Sequence, residues 1–260
     1  MFCSIIGFPL SNPRSVKIWK NFFKKKNMNI QMIPLEINKE IFDYKIKKLI
    51  LNKNFLASAV TMPYKKKILK HVIVKDRISI CAKSINFILK IKNKIFGFNT
   101  DVYGALETVK NLSTKNNIMI YGFGGAGEAI SRVFLKVFKK SNIYVISQKK
   151  CPVDLKRKKI NFYKKVTKNN LLEIDIFINC SPLGSALKKQ YLKKSPITFD
   201  LLKTVKKKFQ VFDIVYNPQT TLLMKFCKKL KLKNFNGIKM NTVQAEFALK
   251  KVYNSYKNII

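Results

Sequence analysis

The sequence predicts an α/β fold, because short apolar runs typical of buried strands alternate along its 260 residues with longer helical patterns. A glycine-rich turn near the middle of the chain joins one such run, 117–121, directly to a helical pattern. Two later runs, 174–180 and 210–216, both stop at proline-containing segments. A chain of this length is expected to form one large or two small domains with an ample core.

The first hundred residues are expected to form an α/β unit of their own, without a phosphate-binding loop. Strands are predicted from residue 3 into a Gly/Pro turn at 7–9, and at 30–35, 55–61, 85–89 and 95–98; helices are predicted at 16–25, at 42–51 and from Lys65 onward. A polar loop covers 11–15, and Pro63 ends the third strand. Asp101 is expected to be the N-cap of the next helix.

The second half of the chain continues the alternation of strands and helices. Strands are predicted at 117–121, 142–147, 174–180 and 210–216, and helices after Gly127, at 222–230 and at 240–253. In parallel sheets, ligands collect at the carboxyl ends of the strands. The segments 181–184 and 217–218, where two strands stop, are therefore candidate ligand-binding loops.

The central turn carries a spacing that points to a dinucleotide. Gly122, Gly124 and Gly127 follow the pattern G-x-G-x-x-G at a strand-to-helix junction, and the turn also contains Phe123, Gly125 and Ala126. Without side chains at the glycines, backbone N–H groups and the positive end of the helix come close to a pyrophosphate. An ordinary tight turn also favours glycine, so the pattern alone leaves that alternative open.

The end of the next strand favours NADP over NAD. A dinucleotide fold places an acidic residue there, on the ribose hydroxyls, when the coenzyme is NAD. This chain has Ser147-Gln148-Lys149-Lys150, with no carboxylate. A cation at this place suits the 2′-phosphate of NADP.

The net charge of +40 invites a nucleic-acid interpretation, but its make-up does not support one. Among the 53 basic residues the only arginines are Arg14, Arg77, Arg132 and Arg157, although arginine is the residue that reads phosphates and bases bidentately. The lysines are spread along the chain, and a genome rich in A/T codons explains them. We expect non-specific, salt-dependent binding to nucleic acid and no specific recognition.

Cysteine usage and hydropathy point to the cytoplasm. The five cysteines are scattered and lack C-x-x-C spacing, so neither a disulfide framework nor a metal site is predicted. No run reaches the roughly 18 apolar residues of a membrane span, and no basic leader precedes the first strand.

Seven short pieces in register give the chain a family resemblance. They are Val60-Thr61-Met62-Pro63-Tyr64-Lys65, Ile85-Asn86, Asn99-Thr100-Asp101, Gly122-Phe123-Gly124-Gly125-Ala126, Asn179-Cys180-Ser181-Pro182-Leu183-Gly184, Asp213-Ile214-Val215-Tyr216-Asn217-Pro218, and Asn236-Gly237 with Gln244. In this order, the pieces resemble the shikimate dehydrogenase family over nearly the whole chain.

The resemblance implies a two-domain α/β enzyme with the active site in a cleft between the domains. Residues 1–101, completed by a C-terminal helix at 237–260, would bind the substrate, and a Rossmann-like domain at 102–236 would bind NADP. The implied reaction is the reversible, NADPH-dependent reduction of the C3 ketone of 3-dehydroshikimate to shikimate, a step in the biosynthesis of chorismate and the aromatic amino acids. Lys65 and Asp101 match the acid/base pair of the family. Reducing a ketone creates an alkoxide that must receive a proton, and a lysine oriented by a carboxylate can supply it.

The resemblance also assigns binding residues. The substrate would contact Ser15, Thr61, Lys65, Asn86, Asp101, Tyr216 and Gln244. The coenzyme would contact Gly122, Phe123, Gly124, Gly125 and Ala126 at the pyrophosphate, Gln148 and Lys149 at the 2′-phosphate, and Ile214 and Gly237 near the nicotinamide.

The chain departs from the family pattern at several positions. Pro13 replaces a serine that contacts the substrate carboxylate, Ala59 an asparagine, Phe87 a threonine, Lys149 an arginine and Lys239 a glycine. Each lost hydrogen bond is expected to cost about 0.5–1.5 kcal/mol of binding, and Arg14 would partly restore carboxylate binding.

Two alternative functions stay open at this point. One is a quinate/shikimate dehydrogenase that uses NAD or NADP. The other is a decayed homologue that binds nucleotide without catalysis, which the retention of both Lys65 and Asp101 argues against. The sequence leaves a homodimer open as well.

Overall fold

The computed structural model describes residues 1–10, 13–110, 117–156 and 158–259. The predicted loop residues Ser11 and Asn12, and Arg157, lie outside them. The chain divides into two compact units, one made of Met1–Gly104 with Thr242–Ile260 and the other of Ala105–Asn241. The functional division proposed from the sequence, after residue 101 and before residue 237, stays a prediction.

The first unit is built around a five-stranded mixed sheet. Its elements are β1 (Phe2–Gly7), α1 (Arg14–Lys25), β2 (Gln31–Glu36), α2 (Phe42–Leu51), β3 (Phe55–Val60), a 3₁₀ helix (Lys67–His71), α3 (Arg77–Ala82), β4 (Phe87–Ile91), β5 (Lys94–Phe98) and the start of α4 (Thr100–Val109). The strand order is β2-β1-β3-β4-β5, and β1 pairs in parallel with β2 and β3, whereas β4 is antiparallel to both of its neighbours.

Helices cover both faces of this sheet, which explains the nearly continuous apolar sequences of β1 and β3. Trp19 and Phe23 of α1, spaced four residues apart, are buried against one face. Phe42 and Ile46 of α2 have the same spacing and are buried in the second core cluster, with Ile6 of β1.

The second unit contains a six-stranded parallel sheet. Its elements are β6 (Ile118–Tyr121), α5 (Gly125–Val137), β7 (Ile143–Ile146), a 3₁₀ helix (Val153–Leu155), β8 (Ile160–Tyr163), α6 (Lys168–Leu172), β9 (Ile176–Asn179), α7 (Lys189–Leu192), α8 (Phe199–Leu202), β10 (Gln210–Asp213), α9 (Leu222–Lys229), β11 (Lys233–Phe235) and the start of α10 (Gly237–Lys257). The strand order is β11-β10-β9-β6-β7-β8. The chain leaves β6 in one direction for β7 and β8 and then returns to the other side for β9, so the order reverses between β6 and β9. Such a switch point is where doubly wound sheets bind nucleotides.

Three local predictions about helices were wrong. Helix α1 begins at Arg14, so Ser15 is helical; Pro13, with φ of −69°, has the fixed geometry that suits a residue at a helix start. No α-helix starts at Lys65, and the chain forms the 3₁₀ helix from Lys67 instead. Asp101 is not the N-cap of α4, because the backbone N–H of Val102 donates to Asn99 Oδ1 at 3.1 Å, which makes Asn99 the cap.

Several short elements were not predicted, namely α3, β8, α6, α7, α8, β11 and both 3₁₀ helices. Each is shorter than two helical turns or has few apolar residues, so its periodicity is too weak to recognise. Among the described residues, no helix is long and apolar enough to cross a membrane.

Candidate active site

The predicted acid/base pair forms in the first unit. Lys65 Nζ lies 2.5 Å from Asp101 Oδ2, and the two side chains are 19% and 16% exposed. Lys65 lies in the turn after β3, whereas Asp101 lies in the first turn of α4, so the pair joins two segments far apart in sequence. Both charged side chains are therefore largely, but not completely, shielded from water.

Neighbouring side chains fix the backbone of Lys65. The ring of Tyr64 stacks on Phe42 with centroids 4.1 Å apart, and its hydroxyl donates to the carbonyl of Ile37. The carbonyl of Lys65 itself accepts from the N–H of Ile85 at 2.7 Å. Because these contacts come from three separate segments of the chain, the lysine side chain starts from a well-defined position.

Asp101 is held in place by the cap of α4. Asn99 is buried, and its side-chain amide donates to the carbonyl and the hydroxyl of Ser84 at 2.8 and 2.9 Å. Its backbone N–H donates to Ser79 Oγ at 2.7 Å. Asp101 therefore lies in the first turn of a firmly anchored helix, where the helix dipole favours a carboxylate.

A hydrogen-bonded group next to Asp101 contains two more predicted substrate residues. Asn86 Oδ1 accepts from the N–H of Thr100 at 2.6 Å, and Asn86 Nδ2 donates to Thr100 Oγ1 at 2.9 Å. Thr100 Oγ1 donates to Gln244 Oε1 at 3.0 Å. The structure thus brings Asn86 and Gln244 together through Thr100. Thr100 has no role predicted from the sequence, although it belongs to the run Asn99-Thr100-Asp101.

Thr61 lies over the end of β1. Its N–H donates to the carbonyl of Ile6 at 2.8 Å, and its carbonyl accepts from Tyr64 at 2.9 Å. A Cβ atom at Gly7 would come within 2.4 Å of Thr61 Cγ2, so glycine at position 7 leaves the room that the threonine side chain occupies. Ser15 is partly exposed on α1 and is not hydrogen-bonded to these residues, and Tyr216, 36% exposed, belongs to the second unit.

The need for glycine differs among the three glycines of the central turn. Gly122 has φ of +95°, which strongly favours glycine, and a Cβ at Gly127 would lie 2.0 Å from the carbonyl oxygen of Gly122. Gly124 is exposed, and a Cβ there would meet no heavy atom within 4 Å. The protein itself therefore does not require glycine at 124. The open space beside it, at the start of α5, fits the close approach of a pyrophosphate.

The other residues of the turn contribute through their backbone. Phe123 is buried, and its ring packs edge-on against Phe162 at 5.0 Å. Its side chain belongs to the core and is not available to a coenzyme. Gly125 and Ala126 begin α5, where the first backbone N–H groups have no partner within the helix.

The loop after β7 presents cations at the carboxyl edge of the sheet. Gln148 and Lys149 are both exposed. Gln148 Nε2 donates to the carbonyl of Lys164 at 3.0 Å, and Lys164 Nζ donates to the carbonyl of Gln148 at 2.9 Å. These paired bonds tie the loop after β7 to the end of β8 and place a second ammonium next to Lys149.

Ile214 and Gly237 are in contact. A Cβ at Gly237 would lie 2.0 Å from the carbonyl oxygen of Ile214, and the N–H of Gly237 donates to the carbonyl of Val215 at 3.1 Å. Glycine is thus required where α10 begins, because the backbone after β10 passes directly against it.

Sequence comparisons give concordant matches. A family model described as the shikimate dehydrogenase substrate binding domain matches residues 5–88. Shikimate dehydrogenase (NADP(+)) of Clostridium botulinum, strain Loch Maree, is 30% identical over 253 residues, which cover 94% of this chain and 93% of that protein. The protein of the same name from Clostridium beijerinckii is 32% identical over 253 residues, which cover 94% and 88%.

A solved structure has the same fold. Shikimate 5-dehydrogenase from Thermus thermophilus, in complex with NADP(H) and shikimate, matches 100% of this chain and 100% of its own with a TM-score of 0.81. At 19% sequence identity, this likeness concerns the fold alone. The predicted α/β class, with a Rossmann-like unit following a mixed α/β unit, is confirmed.

Proposed function

Since the chain belongs to the shikimate dehydrogenase family, we propose that it catalyses the reversible, NADPH-dependent reduction of 3-dehydroshikimate to shikimate in aromatic amino acid biosynthesis. The relatives that match over nearly their whole length carry the name shikimate dehydrogenase (NADP(+)). The observation that carries the proposal is the shielded pair of Lys65 and Asp101, 2.5 Å apart, because this reduction needs a positioned proton donor.

Lys65 transfers the proton in this proposal. When bound, NADPH supplies the hydride that adds to the C3 carbonyl carbon of the substrate. Negative charge then develops on the carbonyl oxygen, and Lys65 donates a proton from Nζ to that oxygen to complete the alcohol. In the reverse direction Lys65 accepts the proton from the hydroxyl. Asp101 orients the ammonium through the ion pair between the two side chains.

The hydrogen-bonded residues around the pair bind the substrate. Asn86, Gln244 and Thr61 offer amide and hydroxyl groups suited to a ring with three hydroxyls, and Ser15 and Tyr216 complete the proposed set. A buried polar group left without a partner costs binding energy, so a substrate lacking one of these hydroxyls would be rejected.

The second unit holds the coenzyme in this proposal. The backbone of Gly122, Phe123, Gly124, Gly125 and Ala126 binds the pyrophosphate, because the space at Gly124 suits it. Gln148 and Lys149 bind the 2′-phosphate, and Ile214 and Gly237 lie against the nicotinamide.

The test is oxidation of shikimate, followed by the near-ultraviolet absorbance of NADPH, with NADP⁺ and NAD⁺ compared at a salt concentration that limits charge-driven association. Lys65→Met should lower kcat by about 10²–10⁴-fold, the usual contribution of a positioned acid or base. Lys66→Met, which removes an exposed neighbouring charge, is the matched control and should change kcat by less than about twofold.

Three outcomes would contradict the proposal. Full activity of Lys65→Met would show that the assigned acid is wrong. Folded wild-type protein that oxidises shikimate with neither coenzyme would favour a decayed homologue, whereas faster turnover of quinate would favour a quinate/shikimate dehydrogenase.

The proposal also covers the cellular compartment and the binding partners of the enzyme. We place it in the cytoplasm, because all five cysteines are free thiols. Its partners are the small molecules named above. No specific nucleic acid is included, and the homodimer stays open.

A further inference from the structure

A buried carboxylate, with no cationic partner among the described residues, closes β10. Asp213 is fully buried, and its oxygens accept three hydrogen bonds: from Asn179 Nδ2 at 3.0 Å, from the N–H of Val215 at 3.1 Å and from Thr221 Oγ1 at 2.6 Å. All three donors are neutral. Burying a charge on neutral donors alone is costly, so a residue that only fills the core would more readily be apolar.

The ionisable groups that face Asp213 do not offset its charge. They are the thiols of Cys180, which follows β9, and of Cys227 on α9, and burial raises the pKa of both. Burial also raises the pKa of the Asp213 carboxyl to about 6, which leaves it ionised at neutral pH.

Asn179 connects Asp213 to the loop after β9. Asn179 Oδ1 accepts from the N–H and the hydroxyl of Ser181, at 3.0 and 2.7 Å, and Nδ2 also donates to the carbonyl of Leu183 at 3.1 Å. The same amide therefore shapes the loop 180–184 and binds Asp213. Through Val215, Asp213 in turn fixes the loop 214–218 that follows β10.

Both loops adjoin residues of the proposed coenzyme site. A Cβ at Gly122 would lie 3.1 Å from the N–H nitrogen of Ser181, and the carbonyl of Ile214 presses against Gly237. In the strand order β10-β9-β6-β7, the phosphate-binding turn follows β6 and Lys149 follows β7. A dinucleotide with its 2′-phosphate at Lys149 and its pyrophosphate at the turn extends its nicotinamide toward the ends of β9 and β10.

We propose that Asp213 is a positioning residue, which holds the loops 180–184 and 214–218 at the nicotinamide end of the coenzyme site. The inference rests on the proposed function, since it takes the dinucleotide as the ligand. Asp213 acts through Asn179 and Val215 and does not touch the coenzyme itself. Thr221, the third donor, lies outside both loops and caps α9 by accepting from the N–H of Met224 at 3.3 Å. Its side-chain carbons lie beside Gly184, and valine at position 221 keeps that contact.

The experiment compares the binding of NADP⁺ with that of 2′,5′-ADP, which lacks the nicotinamide half, by isothermal titration calorimetry. Asp213→Val removes the acceptor and should weaken NADP⁺ binding about tenfold while changing the Kd of 2′,5′-ADP by less than about twofold. Asp213→Asn keeps an acceptor for both Asn179 and Val215 and should restore NADP⁺ binding to within about threefold of wild type. Thr221→Val is the control that should lower the melting temperature and leave both Kd values within about twofold.

Equal weakening of both ligands, or unchanged NADP⁺ binding by folded Asp213→Val, would overturn the proposal, because a general structural role predicts no difference between the two halves of the coenzyme. If Asp213→Val does not fold, Asn179→Ala is the second variant that tests the proposal. It removes the hydrogen bonds to the loop 180–184, so it should raise the Kd for NADP⁺ about fivefold and leave the Kd for 2′,5′-ADP unchanged. If the wild-type protein binds NADP⁺ but does not oxidise shikimate, the proposed reaction is wrong. The comparison of NADP⁺ binding with 2′,5′-ADP binding would still test the role of Asp213.

Discussion

The substitution Gly124→Ala tests whether Gly124 is needed for nucleotide binding or only belongs to an ordinary tight turn. The backbone at 124 has φ of −86° and ψ of −164°, which alanine also adopts, and no heavy atom lies within 4 Å of a Cβ placed there. Lower chain entropy in the unfolded state should stabilise the variant by about 0.4–1 kcal/mol. Alanine is a poorer N-cap of α5 than glycine, which costs a similar amount. The free energy of unfolding should therefore stay within about 0.5 kcal/mol of wild type.

Binding of NADP⁺ should respond differently, because the added methyl group fills the space proposed for the pyrophosphate. Overpacking of this kind typically costs about 1–3 kcal/mol, so the Kd for NADP⁺ should rise about 5- to 150-fold. Gly127→Ala is the matched control, since its Cβ would lie 2.0 Å from the carbonyl oxygen of Gly122. That variant should lose about 1–3 kcal/mol of folding stability whether or not a ligand is present.

Urea unfolding and calorimetric titration of NADP⁺ measure the two quantities on the same preparations. The reasoning would be refuted by a Gly124→Ala variant of unchanged stability that binds NADP⁺ as tightly as wild type. In that case the glycine at 124 would be an accident of composition, and the coenzyme would have to approach another part of the sheet edge.

Three further predictions concern the coenzyme, the buried carboxylate and the helix cap. Lys149→Gln should raise KM for NADP⁺ about tenfold and leave KM for NAD⁺ within about twofold, with Lys150→Gln as the control in the same assay. Burial raises the pKa of Asp213 from 3.8 to about 6, so its stabilising contribution is complete only well below pH 4 and is lost as the pH rises through 6. Asp213→Asn should therefore gain about 2 kcal/mol of unfolding free energy on wild type between about pH 4 and pH 7.5 in urea unfolding, and a constant difference would contradict this. Asn99→Ala should lower the free energy of unfolding by about 1–3 kcal/mol in urea unfolding, and a loss of less than about 0.5 kcal/mol would contradict the role of Asn99 as the cap.

Much of the fold was predictable from sequence because the central strands of both sheets are buried on two faces. Such strands are continuous apolar runs, and those around β3, β6, β9 and β10 stand out even in a lysine-rich chain. Helix α2 was predicted with its observed bounds, since Phe42 and Ile46 place its apolar face clearly. The pair of Lys65 and Asp101 was found by resemblance, and no periodicity or spacing would have brought residues so far apart in sequence together.

Prediction from local sequence was wrong where two neighbouring residues were both suited to one structural role. Asn99 and Asp101 are both good N-caps, and the choice between them depends on Ser79 and Ser84, which bind Asn99 from another part of the chain. The interactions of Thr100 and Asp213 were missed for the same reason. Thr100 binds Gln244 and Asp213 binds Asn179, and both of these partners are distant in sequence, so only the folded structure shows the two interactions.

The departures from the family pattern at positions 59 and 87 illustrate how the structure changes the meaning of a sequence difference. From the sequence, Ala59 and Phe87 counted as two lost polar contacts to the substrate. In the structure they are direct partners across β3 and β4, and Phe87 is 1% exposed with its ring 6.0 Å from that of Trp19. Because the strand fixes the direction of the Cβ at 87, a threonine there would also point into this core. The pairing of the small Ala59 with the large Phe87 is therefore a difference in core packing. Because position 87 points into the core, a loss of substrate binding is no longer expected from Phe87.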